Sequence, residues 1–440
     1  MKKPNVVFLI SHDTGKFYSP YGIKTVDNPN FEKFAAEAVT FDRCFCTTPL
    51  CSPARSALTT GRYPHQNGMN GLPGDTLGRW DMIEKDRHLA SVFSLQGYKT
   101  VLCGVYAHET VNPASVGFAE HINDYGSGNI QDSVLLSAGA IENWLGNNPG
   151  AGTKTPFYMQ IVCAETHRDW ENYCEPYGEK GVWKAPYLID SPDIDNETKY
   201  MQGCSNQLDR GLGMIMDVFG KHGLTDETIF VITTDHGLDY PRAKGTLFDP
   251  GVEVGLFMRY GAGCWQKGVR CGLLASHVDV YATVLDACGI SAPAGTAGIS
   301  FLHALLCQAS SEPIRDAVFL EKTYHDNYDP MRGIRTDRYK YIVNFDAQTL
   351  YDVRVATAPR YNWFRFPYSK NSREELYDLA NDPNETKNLA NEPGFADICK
   401  EFKKRLAKWM AQTDDKLLEG AMPSPYHVRI SAEMKNLASE

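Results

Sequence analysis

The sequence lacks any apolar run long enough to cross a bilayer; nothing in it approaches the ~18–20 apolar residues that a spanning helix needs. It also lacks a secretory-type start. Met1-Lys2-Lys3-Pro4-Asn5 is basic but leads only into the short stretch Val6–Ser11, with no small-residue cleavage site behind it. No membrane partner is expected, and the chain reads as cytoplasmic. Positive charge is in deficit: 44 Lys and Arg against 54 Asp and Glu leave a net charge of −10, which argues against general nucleic-acid binding. An acidic chain can still take an anionic substrate where the site itself is positive. The twelve cysteines contain no Cys-x-x-Cys pair and no zinc-ribbon spacing. They are scattered through apolar segments and read as buried thiols rather than a disulfide framework. Internal repeats and low-complexity tracts are absent too.

What is present is the material for a large core. With 440 residues, 42% of them hydrophobic and 22% charged, the chain fits one large α/β domain plus a smaller one. Val6–Ile10, Lys99–Cys103, Phe157–Val162 and Thr228–Thr233 are short apolar runs of the kind buried on both faces of a parallel sheet. Helical patterns lie between them: one opened by Asn28-Pro29, with asparagine as cap, and others over Glu197–Phe219 and His277–Ala287. This alternation predicts an α/β fold, a large mostly parallel sheet flanked by helices. Beyond about residue 312 the texture changes. Arg332–Phe345 and Glu375–Leu379 read as alternating strands with turns at Asp337-Arg338 and Asn381-Asp382-Pro383, and Ala396–Gln412 as an amphipathic helix. The expected division is a catalytic domain over 1–311 and a smaller C-terminal α+β domain with an antiparallel sheet over 312–440.

The strongest local signal is Cys51-Ser52-Pro53-Ala54-Arg55, continued by Ser56-Ala57-Leu58-Thr59-Thr60-Gly61-Arg62. Pro53 in the first turn of a helix puts residue 51 at that helix's N-terminus, where free N–H groups favour an anion. The segment resembles the Cys-x-Pro-x-Arg core of the type I sulfatases of the alkaline-phosphatase superfamily, whose cysteine is oxidised to formylglycine. The resemblance implies an alkaline-phosphatase-like fold, and it extends through further segments in the family's order. After the first strand, His12-Asp13 stands where the family has two metal-binding aspartates: Asp13 matches, while His12 is either a ligand or a partner of one. Asp235-His236-Gly237 is similar to the family's late metal pair, with His236 in place of asparagine. The implied metal set is Asp13, Asp235, His236 and residue 51, with His12 possible. Its oxygen donors suit calcium, and its imidazoles extend the range to manganese. His108, His167 and Lys244 match further catalytic positions, although the lysine usual in the Gly104–His108 loop is missing. Arg55 would steady the charged nucleophile.

The resemblance implies a sulfuric ester or sulfamate hydrolase. Residue 51, as the aldehyde hydrate, would attack sulfur; His167 with Lys244 would protonate the leaving atom, and His108 would take the proton that expels sulfate. A formylglycine-generating maturation enzyme is an implied partner. Tyr63-Pro64-His65-Gln66-Asn67-Gly68-Met69 is similar to a stretch of heparan N-sulfatases. It makes His65, Gln66 and Asn67, with Lys244, candidates for substrate binding, and a sulfated sugar such as N-sulfoglucosamine the expected substrate. Aromatic residues of Asp169–Trp183 and Tyr361–Tyr368 could stack on that sugar or pack the domain surface. Two other readings are a phosphonate or phosphodiester hydrolase with the same nucleophile, and a silent binding protein if Cys51 is never modified.

Overall fold

A computed structural model describes residues 2–73, 80–104, 108–123, 133–188, 190–306, 313–325, 327–346 and 372–438. Eight strands form one sheet: β1 (Asn5–Ser11), β2 (Val39–Phe45), β3 (Lys99–Gly104), β4 (Glu120–Ile122), β5 (Phe157–Val162), β6 (Thr228–Thr234), β7 (Glu253–Arg259) and β8 (Val269–Ser276). Their order is β4-β3-β5-β1-β6-β7-β2-β8, parallel throughout except for β7, which runs antiparallel to both neighbours. β1 sits between β5 and β6 with all seven residues buried, as its unbroken apolar run requires.

The helices are α1 (Pro29–Ala35), α2 (Cys51–Thr60), α3 (Pro64–Asn67), α4 (Leu89–Leu95), α5 (Ser133–Asn147), α6 (Pro192–Lys221), α7 (Asp249–Val252), α8 (His277–Ala287), α9 (Leu302–Leu306), α10 (Ala396–Gln412) and α11 (Pro425–Leu437). Two apolar clusters cover the two faces of the sheet. One gathers Leu58 of α2 and Val280 and Leu285 of α8; the other gathers Phe31 and Phe34 of α1, Ile141 of α5 and Leu208 and Leu212 of α6. The expected cap of α1 takes a different form. The Asn28 side chain makes no cap bond; its Oδ1 accepts the Ser19 N–H at 3.1 Å, and its Nδ2 reaches the Ser205 carbonyl at 3.2 Å.

A second sheet contains β9 (Val318–Tyr324), β10 (Tyr328–Arg335), β11 (Tyr339–Asn344) and β12 (Glu374–Asp378), antiparallel in the order β12-β11-β10-β9. α10 closes one face, with Phe402, Leu406, Trp409 and Met410 against Ile334, Tyr341 and Leu376. The fold is therefore the expected pair of architectures. The boundary read at 311/312 lies outside the described residues, as do Tyr361–Tyr368.

The two sheets are joined by buried charge. The Lys340 ammonium lies 2.6 Å from Asp249 and 2.7 Å from Glu385, and Arg335 reaches Asp249 at 3.1 Å. Burial would raise the Asp249 carboxyl, but Lys340 and Arg335 hold it down at about 2. At Glu385 burial wins, with the Asp249 charge adding to it, and the carboxyl is pushed up to about 7. A carboxyl held above its unfolded value binds its proton more tightly in the folded chain, so stability falls as pH rises between 4.5 and about 7. Glu385→Gln keeps an acceptor for the Asp249 N–H, which bonds Glu385 at 2.6 Å. Stability from thermal unfolding followed across that window should fall less steeply in this variant than in the wild type, by about 3 kcal/mol at its upper end. Identical slopes would refute the assignment.

Candidate active site

The site is built where β1 and β6 end. Their parallel register sets Ser11 opposite Thr234, so the next residues leave the sheet side by side. Asp13, at a left-handed φ of 45°, donates its N–H to Asp235 Oδ1 at 2.9 Å, and His236 N–H donates to the same oxygen at 2.8 Å. Gly237 is required by close approach: a Cβ there would lie 1.8 Å from the Pro250 carbonyl oxygen of α7. That contact presses the His236 turn down onto the sheet end.

α2 delivers residue 51. All ten of its residues are buried, and its first N–H groups point out of the helix beside Cys51. One turn on, the Arg55 guanidinium reaches Asp235 Oδ2 at 3.0 Å and the Ser11 carbonyl at 3.1 Å, tying the helix to both strand ends. Cys51 Sγ lies 3.3 Å from His236 Nε2 and 3.8 Å from Asp13 Oδ1. Lys244 donates to Asp13 Oδ2 at 2.6 Å and to Asp239 at 3.2 Å. His236 Nδ1 faces the Gly237 carbonyl at 3.0 Å, which directs Nε2 to Asp13 Oδ1, also at 3.0 Å.

Burial opposes every charge in this cluster, and the charges answer one another. Lys244 and His236 hold the Asp13 carboxyl well below the usual range, and His236, Arg55 and His12 do the same for Asp235. The two carboxylates raise His236 well above an ordinary histidine. Cys51 would be raised by burial, but Lys244 and His236 bring its thiol down to about 6. The position therefore favours an anion.

The remaining imidazoles form one wall. The His12 ring centroid is 4.3 Å from that of His108 and 5.2 Å from that of His167, both edge-on. These three, with Arg168, Asp169, Asn172 and Tyr173, line a cavity of about 280 Å³. Burial, then His12 and Arg55, lower His108 well below the normal value, so it is neutral at neutral pH. Arg168 is held by Glu197 at 2.6 Å and lies 4.2 Å over the Trp170 ring. Of the aromatics read as stacking candidates, Trp170 is buried beneath Arg168, Trp183 packs on Phe17 at 5.1 Å, and Tyr173 reaches the cavity.

Asp13, Cys51, Arg55, Asp235, His236 and Lys244 thus meet in one ion cluster, with His12, His108 and His167 beside it. The stretch His65-Gln66-Asn67 makes its contacts elsewhere. His65 Nδ1 pairs with Glu321 of β9; Gln66 accepts the Tyr63 N–H at 3.1 Å, capping α3; and Asn67 is fully buried, bonding Ser56 at 3.0 Å and the Met69 N–H at 2.9 Å.

Sequence reasoning missed a buried group behind His108. Glu109 is fully buried, and its Oε1 takes Gln160 Nε2 at 2.9 Å and His88 Nε2 at 3.1 Å. His88 Nδ1 accepts the Ala90 N–H at 3.1 Å, so the proton of this imidazole is on Nε2 and is donated to Glu109. The available signal was Gln160, a polar residue in the middle of an apolar strand. Asp239, which holds both Lys244 and Arg168, was likewise missed.

Comparison with known proteins agrees with this geometry. The family model described as Sulfatase matches residues 4–290, and that described as N-sulphoglucosamine sulphohydrolase, C-terminal, matches residues 240–356. The chain is 24% identical to human N-sulphoglucosamine sulphohydrolase, over 93% of this chain and 90% of the other. It is 28% identical to an ulvan-active sulfatase of Formosa agariphila, over 96% and 83%. A protein solved in complex with its substrate D-glucosamine-2-N,6-O-disulfate shares the fold at a TM-score of 0.73 and 18% identity, with 94% and 99% covered. The phosphonate monoester hydrolase of Agrobacterium radiobacter does so at 0.69 and 20%, with 93% and 96% covered. With well over half of its length in the first match, and with a buried cluster of carboxylates and cations around Cys51, the chain belongs to the sulfatase family.

Proposed function

We propose that this sulfatase removes the N-linked sulfate of a terminal glucosamine, with residue 51, as formylglycine, serving as nucleophile. The observation that carries the substrate is the N-sulphoglucosamine sulphohydrolase match over 240–356, which includes Lys244, the cation bonded to Asp13. The cavity supports it. About 280 Å³ lies below the size of most drug-sized pockets and suits a single sugar ring rather than an internal stretch of polymer.

A divalent cation fits the donors. His12, Asp13, Cys51 and Asp235 each bring one donor atom, all within 4.8 Å of one another and all buried. His12 Nδ1 is 3.2 Å from Asp235 but not aligned for a hydrogen bond, which leaves it available as a ligand. His236 Nε2, beside Asp13 and Cys51, would complete the set by giving up its proton to the ion that replaces it as the positive charge there. Two carboxylates suit calcium, and the imidazoles bring manganese into range. Cys51 Sγ occupies the place of the formylglycine oxygens.

Formylglycine hydrate would supply an oxygen nucleophile and a second hydroxyl whose deprotonation expels sulfate, while the cation would polarise the sulfuryl oxygens. The chain's own residues do the rest. Lys244 and the first N–H groups of α2 offset negative charge as it shifts across the sulfuryl group. The Arg168 carbonyl accepts from His167 Nδ1–H, so it is from Nε2 of the doubly protonated imidazole that a proton would pass to the leaving amine. His108, kept neutral by burial, accepts the proton of the second hydroxyl.

Cys51→Ala should abolish turnover, by at least ~10⁴-fold, without lowering the thermal midpoint, because only a nucleophile is lost. Residual turnover near the wild-type rate would reject the mechanism. Against a panel of N-sulfated glucosamine, 6-O-sulfated glucosamine and a phenyl phosphonate, release should be fastest from the first. Release from O-sulfated sugars alone removes the N-sulfate assignment, and faster phosphonate cleavage removes sulfate. His88→Leu should lower kcat by roughly 10- to 100-fold while moving KM little and shifting the pH–rate profile, since it acts by holding Glu109 and the adjacent His108. His88→Gln, which can still donate to Glu109, should recover most of that loss; equal losses in the two variants would exclude the positioning role.

A further inference from the structure

The loop that carries His167 and Arg168 continues through a short 3-10 turn, Trp170–Asn172, to Tyr173 and Cys174. Arg168, Asn172 and Tyr173 line the cavity. Cys174, half-buried, ends this wall against α6, where its Sγ lies 3.0 Å from Sγ of the buried Cys204. Among the described residues no other two cysteine sulfurs approach each other like this. Both thiols face the Trp170 carbonyl, at 3.7 and 3.6 Å.

The backbone geometry is equally close. Gly203 precedes Cys204 on α6, and a Cβ there would lie 2.1 Å from the Glu175 carbonyl oxygen and 3.0 Å from Cys174 Sγ. Only glycine lets the 174–175 backbone rest directly on the helix. The bonded S–S distance is about 2.05 Å, so a shift of about 1 Å brings the two sulfurs together.

We propose that Cys174 and Cys204 are a dithiol–disulfide site, oxidised by a low-molecular-weight disulfide such as oxidised glutathione, that fastens the cavity wall to α6. The Cys174 thiolate attacks the small disulfide; one S–S bond breaks, one thiolate leaves, and a mixed disulfide forms. The Cys204 thiolate then attacks the Cys174 sulfur and expels the second small thiolate. Two protein thiols have lost two electrons, the small disulfide has become two thiols, and the proton count balances. Reduction reverses each step. Cys204, whose thiol burial pushes up, is the slower partner and attacks second.

The test uses the mature full-length enzyme equilibrated in oxidised and reduced glutathione at several ratios, acid-quenched, alkylated and digested without reductant. A linked peptide pair containing Cys174 and Cys204, two hydrogens lighter than the free peptides, is expected in the wild type. It should be absent from Cys174→Ser and from Cys204→Ala. Both thiols still alkylated at the most oxidising ratio, or glutathione persisting on Cys174 without the link, would overturn the site. The crosslinked enzyme should show a severalfold change in KM that dithiothreitol reverses and that neither variant shows; a complete crosslink with unchanged KM and kcat would overturn the clamp. The kinetic arm rests on the sulfatase reading, whereas the mass measurement does not, so the two failures are distinguishable.

Discussion

Everything at the catalytic end of this molecule depends on one register, Ser11 of β1 opposite Thr234 of β6. It brings two aspartates out of the sheet so close that the backbone of Asp13 bonds the side chain of Asp235. Two buried carboxylates at that distance cannot both ionise unless cations surround them. Three separate parts of the chain answer the demand: Arg55 from α2, Lys244 from the turn before α7, and His236 from the end of β6 itself. Arg55 also fixes the helix that begins at residue 51, so the position of that residue follows from the charge balance of the aspartates. A register slip of one residue would invert β1 in the sheet and separate all of these groups together.

The same constraint explains why the second sheet matters to the first. Lys244 and Asp249 are five residues apart in one segment. Lys244 faces Asp13, while Asp249 is held by Lys340 and Arg335 of the antiparallel sheet. The close contact of Gly237 with Pro250 joins this segment to the His236 turn. The C-terminal sheet therefore braces the cation that balances Asp13, and His65 with Glu321 makes a second brace between α3 and β9. Of the residues that suggested substrate recognition by resemblance, His65 pairs through Nδ1 with Glu321, Gln66 caps α3 through its side-chain oxygen, and Asn67 bonds Ser56 and the Met69 N–H.

What could be read in advance was what a local pattern encodes. The central strands were legible because both faces are buried and the sequence shows it as unbroken apolar runs. Asp13, Asp235 and Cys51 were singled out by resemblance to family motifs, each just after a strand or at the start of a helix, and the fold brings the three side by side. The strand order was not legible: β7 runs antiparallel between β6 and β2, and nothing local specifies a strand's neighbour. Glu109, His88 and Asp239 were missed for the same reason, since their roles come from pairings across 21 residues (His88 with Glu109) or within a turn whose direction only the fold defines. Asn28 shows the limit even of a local rule: it stands at the cap position, but tertiary partners claim its side chain.

The cysteines make the electrostatic argument sharpest, because one residue type samples many environments in one fold. Cys44, Cys46, Cys103 and Cys163 are as buried as Cys51, and burial pushes each of their thiols up, Cys103 to about 12. Cys51 moves the other way, to about 6, against the same burial penalty. Desolvation is common to all five, so the difference is the field of Lys244 and His236 at the mouth of α2. A field that stabilises negative charge on sulfur at residue 51 will stabilise it on an oxygen placed there, and on a sulfuryl group approaching it. The positive potential is therefore a property of the folded site with residue 51 still a cysteine. In a chain of net charge −10 it is what suits this buried site to an anionic substrate.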